Sequence, residues 1–122
     1  PTKAHEYLFL LSKQPRYYWN QDAVREKATA GHVTSRNVRT VWEIKTQPLP
    51  YDHYAAFPEA LAERCIKAGC PEGGTILDPF VGSGTTALVA RRLGRHAIGI
   101  ELNKTYLEEI CMDRLKQLSL LA

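Results

Sequence analysis

Two acids and two glycines in this 122-residue chain have types and spacing that could do chemistry. Asp78 closes the short apolar run Thr75-Ile76-Leu77, and Glu101 closes a second run, Ala97-Ile98-Gly99-Ile100. Between them stand Gly82-Ser83-Gly84 and the helix-forming stretch Thr85–Leu93, stopped by Gly94. Strand, glycine turn, helix, strand and acid make half of a nucleotide-binding α/β unit. Glycine tolerates φ > 0 and lets a ligand approach the backbone closely. The helix start beyond it presents N–H groups and the positive end of the helix dipole. An acid at the tip of the second strand can accept hydrogen bonds from a ribose diol. Glu101 follows Gly82 by 19 residues, near the spacing of about 20 that this role uses.

The residues between the acids narrow the ligand. A phosphate-loop NTPase needs Gly-Lys-Ser/Thr after its glycines, whereas Gly84 is followed by Thr85-Thr86 with no lysine near. A dinucleotide dehydrogenase could use Ala87 for close helix–strand packing, but Asp78 would then sit beside a diphosphate. A carboxylate there suits an ammonium group instead. S-adenosylmethionine carries an ammonium at one end and a ribose diol at the other, which answers both acids. Phe80 and the backbone about Gly82 would line its methionine arm, and Leu102 would cover a purine face.

The elements that position these residues belong to an ordinary globular chain, 44% hydrophobic and 24% charged. No apolar run approaches a membrane span and no signal-peptide pattern is present, so a cytoplasmic, membrane-free location is expected. Cys65, Cys70 and Cys111 are odd in number and irregular in spacing. They read as free thiols in a reducing compartment, and no metal site is expected. Residues 1–45 hold eight Lys/Arg against four Asp/Glu, while residues 46–122 hold eight against nine. The excess base in the first third permits a polyanionic partner on that side.

Glu6–Ser12 is a nearly unbroken apolar run that predicts a strand buried on both faces. Lys13–Arg16 predicts a turn, and Tyr17-Tyr18-Trp19 a returning edge strand, which together make a hairpin. Asn20–Thr40 has no period and predicts a base-rich surface loop. Its Arg25, Lys27, Arg36 and Arg39 could hold phosphates beside aromatics able to stack on bases. Solvated arginines and core aromatics would look the same. Trp42 would anchor this loop on the core. After an aromatic-rich connection that includes His53, Pro58 suits a first helical turn. A helix over Glu59–Ala68 follows, with Leu61, Ala62, Cys65 and Ile66 on its apolar face, ending at Gly69. Asn103 should cap a last helix running to Leu121, packed through Leu107, Ile110, Cys111, Leu115 and Leu118.

The string Asp78-Pro79-Phe80-Val81-Gly82-Ser83-Gly84-Thr85-Thr86, with Leu93-Gly94-Arg95 and Ile98-Gly99-Ile100-Glu101-Leu102, resembles the DNA methyltransferases that modify exocyclic adenine N6 or cytosine N4. It is most similar to the permuted class, in which the catalytic half precedes the cofactor half. Lys3, His5-Glu6-Tyr7, Ser12-Lys13 and Tyr17 resemble that family's late strand and hairpin. Arg36–Ile44 resembles the segment leading into its cofactor half, and His53–Glu59 with Leu61 resembles the stretch flanking the bound methionine. The resemblance implies an α/β fold: part of a Rossmann-like S-adenosylmethionine-dependent methyltransferase sheet. It implies residues 1–45 as hairpin and basic loop with DNA contacts, and residues 46–122 as the cofactor-binding half-domain. Phe57 and Pro58 would border the cofactor, Asp78 would hold its ammonium, Phe80, Gly82 and Gly84 would shape the pocket, and Glu101 would take the ribose hydroxyls.

One departure from the family pattern outweighs the matches. The catalytic tetrapeptide, an Asp/Asn/Ser followed by Pro-Pro and an aromatic, is absent, and no Pro-Pro occurs in the chain. No catalytic residue is therefore expected in these residues. The chain is expected to be the C-terminal part of a bacterial, archaeal or phage enzyme of restriction–modification type. The sheet would lack central strands that lie upstream, and residues 1–122 alone would be inactive. The partners implied are double-stranded DNA and the missing catalytic half, in cis or as a separate chain, with self-association as a further option. The alternative is a non-catalytic remnant, a DNA- or cofactor-binding module that needs a partner chain.

Overall fold

The computed structural model describes residues 4–28, 34–46 and 57–119. The expectations for Lys3, His53-Tyr54-Ala55-Ala56 and the end of the last helix at Leu121 lie outside these residues.

The core is formed by two helices and a small parallel sheet. The short strands β1 (Glu26–Lys27) and β2 (Ser35–Arg36) come first in the chain. Helix α1 (Glu59–Gly69) follows, then strand β3 (Thr75–Asp78), helix α2 (Thr85–Arg92) and strand β4 (His96–Gly99). β3 and β4 pair in parallel with Thr75 opposite His96 and Asp78 opposite Gly99. Two further bonds carry the ladder to the acid end, Ile100 N–H to Asp78 O (2.9 Å) and Val81 N–H to Ile100 O (3.0 Å). Parallel strands need a crossover, and α2 supplies it. Ala62 and Ile66 of α1 pack against Val89 and Ala90 of α2, with Ile76 and Leu93 closing the cluster. The spacing of these residues puts each set on one helix face. Gly94, at φ 69°, ends α2 by donating its N–H to Arg91 O (3.1 Å).

Gly99 is needed for a reason that concerns packing alone. A Cβ there would stand 2.9 Å from Val81 Cβ and from both its γ-methyls. Gly99→Ala is expected to destabilise the chain by about 1–3 kcal/mol through overpacking, with partial recovery in Gly99→Ala/Val81→Ala. Urea unfolding of the parent, the single variant and the double variant checks this.

The predicted double-sided strand over Glu6–Ser12 does not form. The run is exposed, with Phe9 at 77%, and no described strand pairs with it. An apolar run becomes a buried strand only where neighbours complete its ladder, and none is offered among the described residues. Tyr17-Tyr18-Trp19 is likewise no edge strand, so the predicted hairpin is absent. The segment is tied down at its end instead, where Asn20 N–H donates to Ala68 O (2.8 Å). The loop over Asn20–Thr40 is more regular than expected. It holds a 3-10 turn at Asp22–Val24 and the antiparallel β1–β2 pair. Trp42 does anchor it: Arg64 of α1 lies 4.9 Å over the indole ring and reaches Glu26 Oε1 at 3.3 Å.

The last helix also differs. It begins as predicted at Asn103, whose Oδ1 accepts from Thr105 N–H (3.0 Å). It then widens into a π-helical segment, Tyr106–Cys111, before continuing as helix α3 (Met112–Ser119).

Among the described residues β3 pairs with β4 alone. Leu77 and Ile98, cross-strand neighbours in this pair, are exposed. A cleft of about 720 Å³ runs beside β3 and α1, lined by Leu8, Leu61, Ile66, Thr75 and Ile76 among others.

Candidate functional site

Asp78 and Glu101 emerge at the same end of two adjacent parallel strands, beside the glycine turn. In open α/β sheets, ligands bind in the crevice at these carboxyl ends. Asp78 Oδ1 accepts from Phe80 N–H (3.0 Å), which sets the turn leaving β3. Gly82 (φ 50°) and Gly84 (φ 81°) occupy left-handed conformations, and Gly84 N–H closes the turn on Val81 O (2.8 Å). Leu88 N–H donates to Gly84 O (2.9 Å), so α2 starts directly from the turn.

Glu101 has a structural part that its spacing did not announce. Its Oε2 accepts from Gly82 N–H (2.9 Å) and its Oε1 from Asn103 N–H (2.8 Å). One carboxylate thus joins the glycine turn to the start of the last helical segment. An ionised carboxylate offers about four lone-pair sites, so these two bonds do not exhaust its acceptor capacity.

Arg114 was not singled out from the sequence. Its side chain is 8% exposed and makes contacts to two elements. Nη1 donates to Ser83 O (2.8 Å) and lies 3.2 Å from both Ser83 Oγ and Thr85 Oγ1; Nη2 meets Glu59 Oε1 at 3.2 Å. Ser83 and Thr85 are themselves buried. A signal was present: Arg114 stands four residues after Ile110 and three after Cys111, on the apolar stripe of its helix. A charged residue on such a stripe needs a partner.

Cys111 is buried close to Gly84 of the turn. Burial pushes its thiol above the ordinary thiol range; the Arg114 guanidinium opposes this, and the charges of Glu101 and Asp78 add to it. Burial likewise raises Cys65, against the pull of Arg64. Neither is poised as a thiolate nucleophile. Among the described residues no group of His, Cys, Asp and Glu could hold a metal ion.

The remaining sequence-predicted residues are spread around this crevice. Phe80 and Leu102 project outward, 84% and 97% exposed. Phe57 and Pro58 stand at the start of α1, where Pro58 occupies the N-cap position and its carbonyl accepts from Leu61 N–H (3.0 Å). The four basic candidates divide. Arg25 bonds Ser35 Oγ (2.9 Å) and Asn37 Oδ1 (3.2 Å), and Arg36 faces Glu26 at 3.5 Å. Lys27 and Arg39 are exposed.

Strand, glycine turn, helix, strand and acid, with the acids together at one sheet end, define part of a Rossmann-like methyltransferase fold. The family model described as DNA methylase, of the N6/N4 type, matches residues 1–112, and the chain belongs to that family. It is 49% identical over 106 residues to the Type II methyltransferase M.SmaI of Serratia marcescens, covering 87% of this chain and 36% of that protein. It is 44% identical over 116 residues to M.Cfr9I of Citrobacter freundii, covering 95% and 38%. The chain thus spans well under half the length of these relatives. Among solved structures, the M1.HpyAVI–SAM complex superposes with a TM-score of 0.59 at 28% identity, over 84% of this chain and 46% of that one. A DNA modification methylase of Thermus thermophilus, complexed with S-adenosyl-L-methionine, gives 0.50 at 34% identity, over 65% and 30%. No helix among the described residues is long and apolar enough to cross a membrane.

Proposed function

We propose that this chain supplies the S-adenosylmethionine site of a DNA amino-methyltransferase acting on adenine N6 or cytosine N4. The observation that carries the reading is the pair of carboxylates at the same end of adjacent strands, flanking a glycine turn with two left-handed residues. This donor set fits a ligand with an ammonium and a ribose diol, and it is unsuited to a diphosphate.

When bound, the cofactor supplies an electrophilic methyl group. Asp78 would hold the ammonium, directly or through water, and Glu101 would accept from the ribose hydroxyls. Phe57, Pro58 and Phe80 would border the methionine arm, Gly82 and Gly84 would give the backbone close approach, and Leu102 would cover a purine face. The work of these residues is orientation, which can supply much of a transfer reaction's acceleration. The target base must leave the stack to be reached.

The base-handling half is proposed to lie outside these residues, in the class where it precedes the cofactor half. Three observations support this. No Pro-Pro-aromatic motif is present, the chain covers 36% and 38% of two relatives, and β3 has one described neighbour with an apolar cleft beside it. Residues 1–45 are proposed as the DNA-facing part and 46–122 as the cofactor half. The exposed Lys27 and Arg39 are better placed for phosphate contacts than Arg25 and Arg36, which intramolecular partners hold. The test is isothermal titration of the purified chain with S-adenosylmethionine, beside a methylation assay on double-stranded DNA. Cofactor binding without methylation is expected. Methylation by residues 1–122 alone would overturn the half-site reading, and failure to bind would overturn the cofactor reading.

A further inference from the structure

We infer that Arg114 is a positioning residue for cofactor binding: from the last helix, it fixes the shape of the glycine turn. The inference rests on the reading of that turn as a cofactor site. A guanidinium that is almost fully buried must be paired, and here its partners are chosen from the turn itself. Nη1 is shared among Ser83 O, Ser83 Oγ and Thr85 Oγ1, and Nη2 goes to Glu59 at the start of α1.

The Ser83–Gly84 peptide is held on both sides. Its carbonyl accepts from Arg114 and its N–H donates to Val81 O. That plane cannot rotate without breaking both bonds. Gly84 in turn accepts Leu88 N–H, so fixing this peptide also fixes where α2 begins. On the strand side Glu101 holds Gly82. The turn therefore sits between two charged braces, Glu101 at the strand end and Arg114 on the buried side chains of Ser83 and Thr85. Glycine-rich turns are intrinsically mobile, and a ligand that binds one backbone shape gains affinity when that shape is already set.

The test compares the full chain with Arg114→Met, Arg114→Lys and the milder Ser83→Ala, by titration with S-adenosylmethionine and by amide hydrogen exchange of residues 82–86 without ligand. Titrations are made at a temperature where circular dichroism shows each variant folded. Arg114→Met should raise the Kd about tenfold or more, as expected for losing charge-assisted bonds, and should speed exchange in the turn. Arg114→Lys, which keeps the charge but not the fork, should recover part of the affinity. A folded Arg114→Met whose Kd stays within about twofold of the parent overturns the inference. If Arg114→Met does not fold, Ser83→Ala decides: unchanged exchange and unchanged Kd overturn it. If the parent chain does not bind, the cofactor reading and the binding role of Arg114 both fail; faster exchange would then show a purely structural brace.

Discussion

Glu101→Gln should weaken S-adenosylmethionine binding by about one to two orders of magnitude, the scale of losing hydrogen bonds to a charged group. The conservative look of the change is misleading. In the ligand-free chain one carboxylate oxygen accepts from Gly82 N–H and the other from Asn103 N–H. A glutamine amide has a single acceptor oxygen, so its NH2 must face one of these donors. The variant either releases the glycine turn or releases the start of the last helical segment. It also loses the negative charge proposed to face the ribose diol. Titration calorimetry of the parent, Glu101→Gln and Glu101→Asp checks this. Equal affinity in parent and Glu101→Gln would remove Glu101 from the site.

Gly84→Ala should destabilise the fold by about 2–4 kcal/mol, a large part of an ordinary domain's margin. Two costs combine. The residue has φ 81°, where an L side chain costs roughly 1–2 kcal/mol. Its new Cβ would stand 2.6 Å from Cys111 Sγ, an overlap of the kind that costs about 1–3 kcal/mol in a packed core. The costs can be separated. Cys111→Ala removes the sulfur but leaves the backbone strain, so the double variant should recover only the steric share. Denaturant unfolding of both single variants and the double gives the coupling directly. A Gly84→Ala chain within about 0.5 kcal/mol of the parent, the scale of ordinary surface substitutions, would contradict the packing described above.

The βαβ unit was legible because each of its signals is local. The apolar runs, the glycines and Gly94 place β3, α2 and β4 to within a residue of the observed bounds. The two acids come together for the same reason, since parallel strands carry their ends to one side. What was not legible depends on partners distant in the chain. Glu6–Ser12 has the composition of a buried strand, but burial requires neighbours that the described residues do not provide. Arg114 could be seen on an apolar stripe, yet its partners Ser83 and Glu59 lie 31 and 55 residues away. Glu101 was read from its spacing as a ligand acceptor, while its hold on Gly82 follows only from the folded turn. The wide turn at Tyr106–Cys111 left no recognisable trace in the pattern of apolar residues.

That wide turn decides the angular phase of everything after it. Each residue of a regular α-helix advances about 100° around the axis, and a π-type turn absorbs one extra residue per turn. Were Tyr106–Cys111 to tighten into α-helix at constant length, Arg114 would swing by about 100° relative to the Asn103 cap. Its guanidinium would leave Ser83 and Thr85 for another side of the helix. The same arithmetic makes the segment tolerant of shortening: loss of one exposed residue, Glu108 or Glu109, would convert the bulge to plain helix and leave Arg114 in phase. The helix thus carries a one-residue length allowance placed just ahead of the side chain whose direction matters most.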